Sequence, residues 1–409
     1  MPNKIRTNKN VCLFCFGDLD LQRNCLQCGK QANDVPNLSH HLPKRTVLNK
    51  RYLIVNTLGE GGFGITYLVW DLTTNTKIAI KEYYPNGYVN RVPKSYHIVI
   101  NSKKNQEASN RGLKRFIDEA KALAKVKNLS GIVSVKDFFS ENGTAYIAME
   151  FLDGISLKKY VQQRGGRISM DETLDILHPV LDSLIFIHRM NLIHRDISPD
   201  NIIITKHNEV KLIDFGATNQ SDLEGNSLSI VLKQGFAPEE QYRTNGEQGP
   251  WTDIYAIGVS IYYCITGKIP PESINRTHID SIIKPSEQDA IISPTQETAL
   301  MKSLAVYAKN RYQNVEQLIT GLYGIKVENN FISNTITNKT SNTTTTNEKL
   351  SIHPPIKNHN DITLPSRLYA TREFASNSNH IPKTLEERRK EIAENRSKKL
   401  REIINKNKK

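Results

Sequence analysis

Long apolar runs are missing from this 409-residue chain. No stretch approaches the roughly 20 residues needed to span a bilayer, and the N-terminus lacks the apolar core of a secretory signal. The expectation is a soluble, cytoplasmic protein, with export by a route that needs no such signal left open. Cysteine is scarce: there are five, four of them in the first thirty residues, so no disulfide framework runs through the bulk of the chain. Residues 328–349 are dominated by Asn, Thr and Ser and hold too little apolar material to bury. Acidic side chains are the minority overall, which gives a formal net charge of +13. That excess sits at the ends. Residues 1–51 carry nine basic against three acidic side chains and residues 383–409 eleven against five, while residues 52–325 come out near −1. Basic ends suit acidic partners, anionic lipid or, less expectedly, nucleic acid; two solvated tails account for them equally well.

The early cysteines form two knuckles, Cys12-x-x-Cys15 and Cys25-x-x-Cys28. Each pair can present two thiolates to one tetrahedral zinc ion, and Gly17 and Gly29 just beyond them suit tight turns. Four thiolates would close the coordination shell, so the expected Zn2+ is structural. Two disulfides are the alternative, disfavoured by the expected compartment. Cys264, alone in the apolar stretch Ile257–Ile265, reads as buried packing.

The expected organisation is a zinc-ribbon-like knuckle over 10–30, a linker over 31–50 and one large domain over 51–325. A low-complexity linker over 326–382 and a basic helical tail over 383–409 follow. The tail opens with the capping box Thr384-Leu385-Glu386-Glu387.

Within the large domain, His194-Arg195-Asp196-Ile197-Ser198-Pro199-Asp200-Asn201 is followed by Asp214-Phe215-Gly216. A carboxylate able to accept a hydroxyl proton, an amide able to hold Mg2+ and a second metal-binding carboxylate recur there in the order that phosphoryl transfer from ATP requires. Upstream, Gly59-Glu60-Gly61-Gly62-Phe63-Gly64 lies between two strand-like runs. It reads as a hairpin able to approach phosphates closely, since no helix follows as in a dinucleotide-binding turn. Ile78-Ala79-Ile80-Lys81 is a buried strand ending in a cation. Phe116–Leu123 reads as an amphipathic helix placing Glu119 where it can pair with Lys81. Between them, Tyr83–Asn105 predicts an extra loop or hairpin.

With Ala237-Pro238-Glu239, Trp251-Thr252-Asp253 and Asn310-Arg311-Tyr312 added, residues of about 52 to 325 resemble a eukaryotic-type (Hanks-type) protein kinase domain. Lys81-Glu82-Tyr83-Tyr84-Pro85, Asn142-Gly143-Thr144-Ala145-Tyr146 and Gln248-Gly249-Pro250-Trp251 resemble a bacterial subgroup. The resemblance implies an α+β, two-lobed fold: a small lobe of antiparallel sheet and a mainly helical large lobe. It implies transfer of the ATP γ-phosphate to Ser/Thr hydroxyls of proteins, including the chain itself through self-association, with Mg2+ or Mn2+. Asp196 would be the base, Asn201 and Asp214 the metal ligands, and Lys81, paired with Glu119, the phosphate contact. Gly59, Gly61 and Gly64 would cover the phosphates. Adenine would lie between Ala79 and Ile203 with Met149 behind it, its edge read by backbone at Glu150 and Leu152. Asp253 would hold the catalytic loop, Glu239 would pair with Arg311, and Arg195 would meet a phosphate on Thr218, Ser221, Ser227 or Ser229.

Two positions depart from that pattern. Ser198 stands where such kinases carry Lys, and Lys233 stands near where they carry Thr. The paired exchange predicts that Lys233 reaches back toward the γ-phosphate with Ser198 as its hydrogen-bond partner. The alternative to an active enzyme is a nucleotide-binding pseudokinase acting through its knuckle and basic tail, which retention of Lys81, Asp196, Asn201 and Asp214 opposes.

Overall fold

In the computed structural model the described residues are 12–13, 17–31, 38–92, 95–125, 129–215, 232–243 and 245–324. Residues 1–318 form one unit, and of a second unit, 319–409, only 319–324 are described. The expected low-complexity linker and basic tail, and residues 216–231 with Thr218, Ser221, Ser227 and Ser229, lie outside the described residues.

Strands rich in β-branched and aromatic residues build the small lobe. Its strands are β1 (Val47–Leu48), β2 (Tyr52–Gly61), β3 (Gly64–Asp71), β4 (Thr76–Tyr83), β7 (Val135–Glu141) and β8 (Thr144–Glu150). They form one antiparallel sheet in the order β1-β2-β3-β4-β8-β7. The period of two sends Ile78 and Ile80 to one face, in a core with Ile54, Tyr67, Val69 and Tyr146. Ala79, Ile147 and Met149 go to the other, against Phe116 and Ala120 of helix α1 (Lys103–Lys125). That helix begins well before the Phe116–Leu123 run that announces it in the sequence.

The stretch 83–105 forms an extra hairpin, β5 (Val89–Arg91) with β6 (Ile98–Ile100). The segment expected as a linker over 31–50 is, from Leu38 onward, part of the small lobe. Leu42 and Leu48 are wholly buried, and Val47 pairs with Leu53. Burial of two leucines outweighs the Pro- and His-containing local sequence.

The large lobe is built on α2 (Leu157–Gln163), α3 (Met170–Arg189), α4 (Pro250–Thr266) and α5 (Pro294–Ser303), and α6 (Val315–Tyr323) ends the described chain. Ser156, Ser169 and Ser293 cap the first, second and fourth of these. α4 is buried from Thr252 to Thr266, as a helix apolar on every side must be. Cys264 lies inside it, wholly buried, and burial pushes its thiol up. A small sheet in the order β11-β10-β9, from β9 (Gly154–Ser156), β10 (Ile202–Thr205) and β11 (Val210–Leu212), carries the functional loops. β10 and β11 pair Ile202 with Leu212, and the Ile213 N–H donates to the Asn201 carbonyl at 2.8 Å, so Asn201 and the Ile213-Asp214 segment leave the same end of the hairpin.

Candidate active site

The loop from His194 to Asn201 hangs between α3 and β10 and is fixed from below by Asp253. That carboxylate, wholly buried in the first turn of α4, accepts from the backbone N–H groups of His194 (2.9 Å) and Arg195 (2.8 Å) and lies 2.8 Å from His188 Nε2. Burial pushes its pKa up, but His188, His194 and the N–H donors outweigh burial and hold it below the ordinary value. Arg195 has φ +67°, a left-handed conformation unfavourable for a long side chain. It is held there by Asp253 and by Gln241 Nε2, which donates to its carbonyl at 3.0 Å. The Arg195 guanidinium donates to Gln248 Oε1 at 3.0 Å. Asp214 shares the left-handed conformation, with φ +63°. Next to it Phe215 meets the buried His194 ring edge-on at 4.4 Å, and His194 Nε2 lies 2.9 Å from the Ile213 carbonyl. Burial lowers the His194 pKa.

Asn201 donates through Nδ2 to both the Asp196 carbonyl and Asp196 Oδ2, each at 2.8 Å. Its amide protons are thus spent on the candidate base, and its oxygen is the atom it can offer elsewhere. Lys81 Nζ meets Asp214 Oδ1 at 3.0 Å, and the ammonium holds that carboxyl below its ordinary value. The expected Lys81–Glu119 pair is not formed: among the described residues no ion pair or hydrogen bond joins the two. The cation takes the nearer and more acidic Asp214. Glu119, on α1, acts on Lys81 only through space, and burial pushes its carboxyl up to about 7.

Lys233 Nζ donates to the wholly buried Ser198 Oγ at 2.7 Å and pairs with Asp200 Oδ2 at 2.7 Å. Asp200 also meets Lys158 at 3.4 Å. Asp200 had no role in the sequence reading, although it stands inside the quoted loop. Burial raises its pKa, but Lys233 and Lys158 outweigh burial and hold it below the usual range.

The glycine hairpin closes β2 onto β3 at Gly61 and Gly64. A Cβ at Gly64 would stand 2.5 Å from the Glu82 carbonyl, so packing alone demands glycine there. At Gly59 and Gly61 a Cβ would meet nothing within 4 Å. Neither packing nor positive φ explains glycine at those two positions, which fits close approach by something from outside the chain. Ala79 and Met149 are paired across β4 and β8, and Leu152 packs on the same cluster. The Glu150 N–H donates to the Ser134 carbonyl at 3.0 Å, and its side chain meets Lys211 at 2.8 Å. Ile203 lies on β10 opposite Lys211 and Ser156.

Two further features depart from the sequence reading or were missing from it. Arg311 pairs with Glu240, at 2.7 and 2.9 Å, and not with Glu239, which turns to Arg243 at 2.6 Å. Residues Glu239–Tyr242 form a 3-10 turn, in which a one-residue step rotates a side chain by about 120°. The second is Glu82, wholly buried, whose carboxylate accepts from Arg91 (2.6 Å), Tyr67 (2.9 Å) and Tyr146 (2.8 Å). Arg91 also donates to the carbonyls of His40 (2.8 Å) and Tyr96 (2.6 Å), which binds the extra hairpin to the sheet. Lys-Glu-Tyr-Tyr-Pro carried that signal, a second charged residue directly after Lys81 in the strand.

Of the four early cysteines, Cys15 lies outside the described residues. The sulfurs of Cys12, Cys25 and Cys28 lie within 4.8 Å of one another, with Cys12 and Cys28 at 3.7 Å. The N–H groups of Gln27 and Cys28 approach Cys25 Sγ at 3.4 Å, and Gly29 takes φ +68°.

Residues 52–331 match the protein kinase domain family. The chain is 31% identical over 288 residues to serine/threonine-protein kinase PknA of Nostoc sp., an alignment covering 68% of this chain and 47% of that one. It is 29% identical over 333 residues to serine/threonine-protein kinase F of Synechocystis sp., covering 77% and 62%. The chain therefore spans about half the length of these curated relatives. Among solved structures it is similar to the PpkA-294 apo form, with TM-score 0.62 and 35% identity over 69% of this chain and 100% of that one. The kinase domain of PknI from Mycobacterium tuberculosis, at 20% identity and TM-score 0.51, shares the fold. With that match over residues 52–331 and the loop, hairpin and lobes described above, the chain belongs to the protein kinase family.

Proposed function

We propose that this chain is an ATP-dependent protein serine/threonine kinase. The observation that carries the reading is the meeting of two bonded pairs at the ends of β10 and β11: Asn201 donates to Asp196 at 2.8 Å, and Lys81 donates to Asp214 at 3.0 Å. The Asp196 carboxylate, oriented by Asn201, accepts the proton of a substrate hydroxyl as its oxygen bonds to the γ-phosphorus and the bond to the ADP oxygen breaks. Lys81 binds the α/β-phosphates. Asn201 Oδ1 and the Asp214 carboxylate are hard oxygen donors that fit Mg2+ or Mn2+, which would neutralise phosphate charge. Lys233, seated on Ser198 and Asp200, supplies the cation that the catalytic loop itself lacks. Gly59 and Gly61 admit the phosphates, and Ala79, Met149, Leu152 and Ile203 enclose adenine.

The chain's substrates are proteins, itself included if two copies meet. The names of the relatives support the hydroxyl class and favour the active enzyme over a pseudokinase. Cys12, Cys25 and Cys28, with Cys15, hold a structural Zn2+. Tetrahedral thiolates at 2.3 Å from zinc stand about 3.8 Å apart, close to the 3.7 Å between Cys12 and Cys28 and far from the ~2.05 Å of a disulfide. A reducing cytoplasm is the setting that keeps such thiols available. No helix among the described residues is long and apolar enough to cross a membrane. The zinc unit over 10–30 and the segments 326–382 and 383–409 flank the catalytic domain, and the basic ends meet acidic partners.

Incubation with labelled ATP and Mg2+ tests the reading. Asp196→Ala and Asp214→Ala, which remove charge without core volume, should each abolish phosphoryl transfer in folded protein. Wild-type autophosphorylation persisting in both would refute the assignment.

A further inference from the structure

A second cluster of metal-ligating side chains lies away from the cysteines. His40 Nε2 lies 2.9 Å from both carboxylate oxygens of Glu60, and His41 Nε2 lies 3.0 Å from Oε2. All three donor groups fall within 4.8 Å of one another. Glu60 belongs to the glycine hairpin, whereas the two histidines belong to the segment preceding the first strand. We propose that His40, His41 and Glu60 form a binding site for a divalent transition ion of the zinc class, which latches the glycine hairpin to the N-terminal segment.

Two imidazoles and one carboxylate are a donor set that zinc accepts with a fourth position left to water or another ligand. At bond lengths of 2.0–2.1 Å, tetrahedral donors stand roughly 3.3 Å apart. The two histidine–carboxylate separations, 2.9 and 3.0 Å, need to open by only a few tenths of an ångström. The histidine side of the site is already held. The His40 carbonyl accepts from Arg91, the Leu42 N–H donates to Tyr67 Oη at 3.0 Å, and the His41 N–H donates to the Leu38 carbonyl at 2.8 Å. His41 Nδ1 lies 3.2 Å from Thr57 Oγ1, the kind of outer partner that fixes which ring nitrogen faces an ion. The His40 ring packs between His41 and Tyr84, at 4.5 and 5.7 Å between centroids. Only Glu60 sits on an element with little packing of its own, since Gly59 to Gly61 are exposed. An ion there joins a fixed pair of ligands to a loosely packed one, so occupancy restricts the hairpin.

The test uses the full chain carrying Cys25→Ser and Cys28→Ser, so that the cysteine cluster does not compete. Zinc titration should find one equivalent, and cobalt in its place should give no thiolate charge-transfer band. Adding His40→Gln and His41→Gln keeps donors toward Glu60 and much of the ring volume, and circular dichroism checks the fold. That variant should lose affinity beyond the roughly 10–100-fold that outer partners contribute. Zinc should also slow amide exchange at Gly59 to Gly62 in the parent and leave it unchanged in the glutamine variant. The proposal is overturned if the Cys25→Ser, Cys28→Ser parent binds no zinc, if the glutamine variant binds as tightly, or if the hairpin exchanges at the same rate with and without the ion.

Discussion

Arg91→Met removes a buried guanidinium while keeping much of its volume, and so asks what holds the β5–β6 hairpin to the small lobe. The Arg91 side chain is 2% exposed and that of Glu82 is fully buried. The substitution deletes the 2.6 Å contact to Glu82 and the donors to the His40 and Tyr96 carbonyls. Breaking a buried pair by removing one partner costs about 3–5 kcal/mol, because the remaining charge is left uncompensated. Tyr67 and Tyr146 still donate one hydrogen bond to each Glu82 oxygen, which places the cost at the lower end, about 3 kcal/mol. For a domain of this size each kcal/mol lowers Tm by roughly 2–4 °C, so the expected drop is about 6–12 °C by scanning calorimetry. Adding Glu82→Gln neutralises the stranded carboxylate and should recover at least half of the loss, a coupling that the double-mutant cycle isolates. A drop of less than about 2 °C, or a double variant no more stable than Arg91→Met, would refute the account.

Lys233→Ala should slow the chemical step by roughly 10²-fold, the scale of one preorganised electrostatic donor, with a smaller change in ATP affinity. Ser198→Lys combined with Lys233→Thr should restore part of that rate in single-turnover measurements, and full activity in Lys233→Ala would make Lys233 a structural cation only. Elemental analysis should find zinc held by the cysteine cluster, released by Cys25→Ser with Cys28→Ser while kinase activity survives; retention of cobalt–thiolate absorption in that variant would count against it. Glu119, with its carboxyl pushed up to about 7 from an ordinary 4.5, takes up a proton on folding between those values. Stability should therefore fall as pH rises from about 4.5 to 7, and Glu119→Gln should flatten that slope in urea unfolding curves, while an unchanged slope would reassign it to other groups.

The loop from His194 to Asn201, Asp214 and the glycine hairpin were legible because their chemistry is written in short, local spacings. The strands on either side of the glycines were legible too, from runs of β-branched and aromatic residues, as was the buried strand Ile78–Lys81. What stayed hidden depends on distances between elements. Whether Lys81 turns to Glu119 or to Asp214 is set by how far α1 stands from the sheet, which no spacing within α1 encodes. The partner of Arg311 was misassigned to Glu239, because Glu239 and Glu240 are adjacent and only the 3-10 turn decides which of them faces Arg311. The segment around Leu42 read as a linker since two isolated leucines, Leu42 and Leu48, leave no periodic trace. Glu82 was quoted as part of a motif, but its partners lie nine, fifteen and sixty-four residues away.

The seam between the β5–β6 hairpin and the β7–β8 turn has an evolutionary consequence. The Ile98 N–H donates to the Asn142 carbonyl at 2.9 Å, and Thr144 Oγ1 donates to the Tyr83 carbonyl at 2.6 Å. A Cβ at Gly143 would stand 2.9 Å from the Ile98 carbonyl, in a backbone conformation with φ +75°. A turn one residue longer, or one with a side chain at position 143, would collide with the inserted hairpin or let it go. Hairpin and turn therefore constrain each other's sequence. A variant without the insertion would no longer need Asn-Gly at the turn, whereas one that keeps it tolerates change least where the hairpin is sewn to its neighbour.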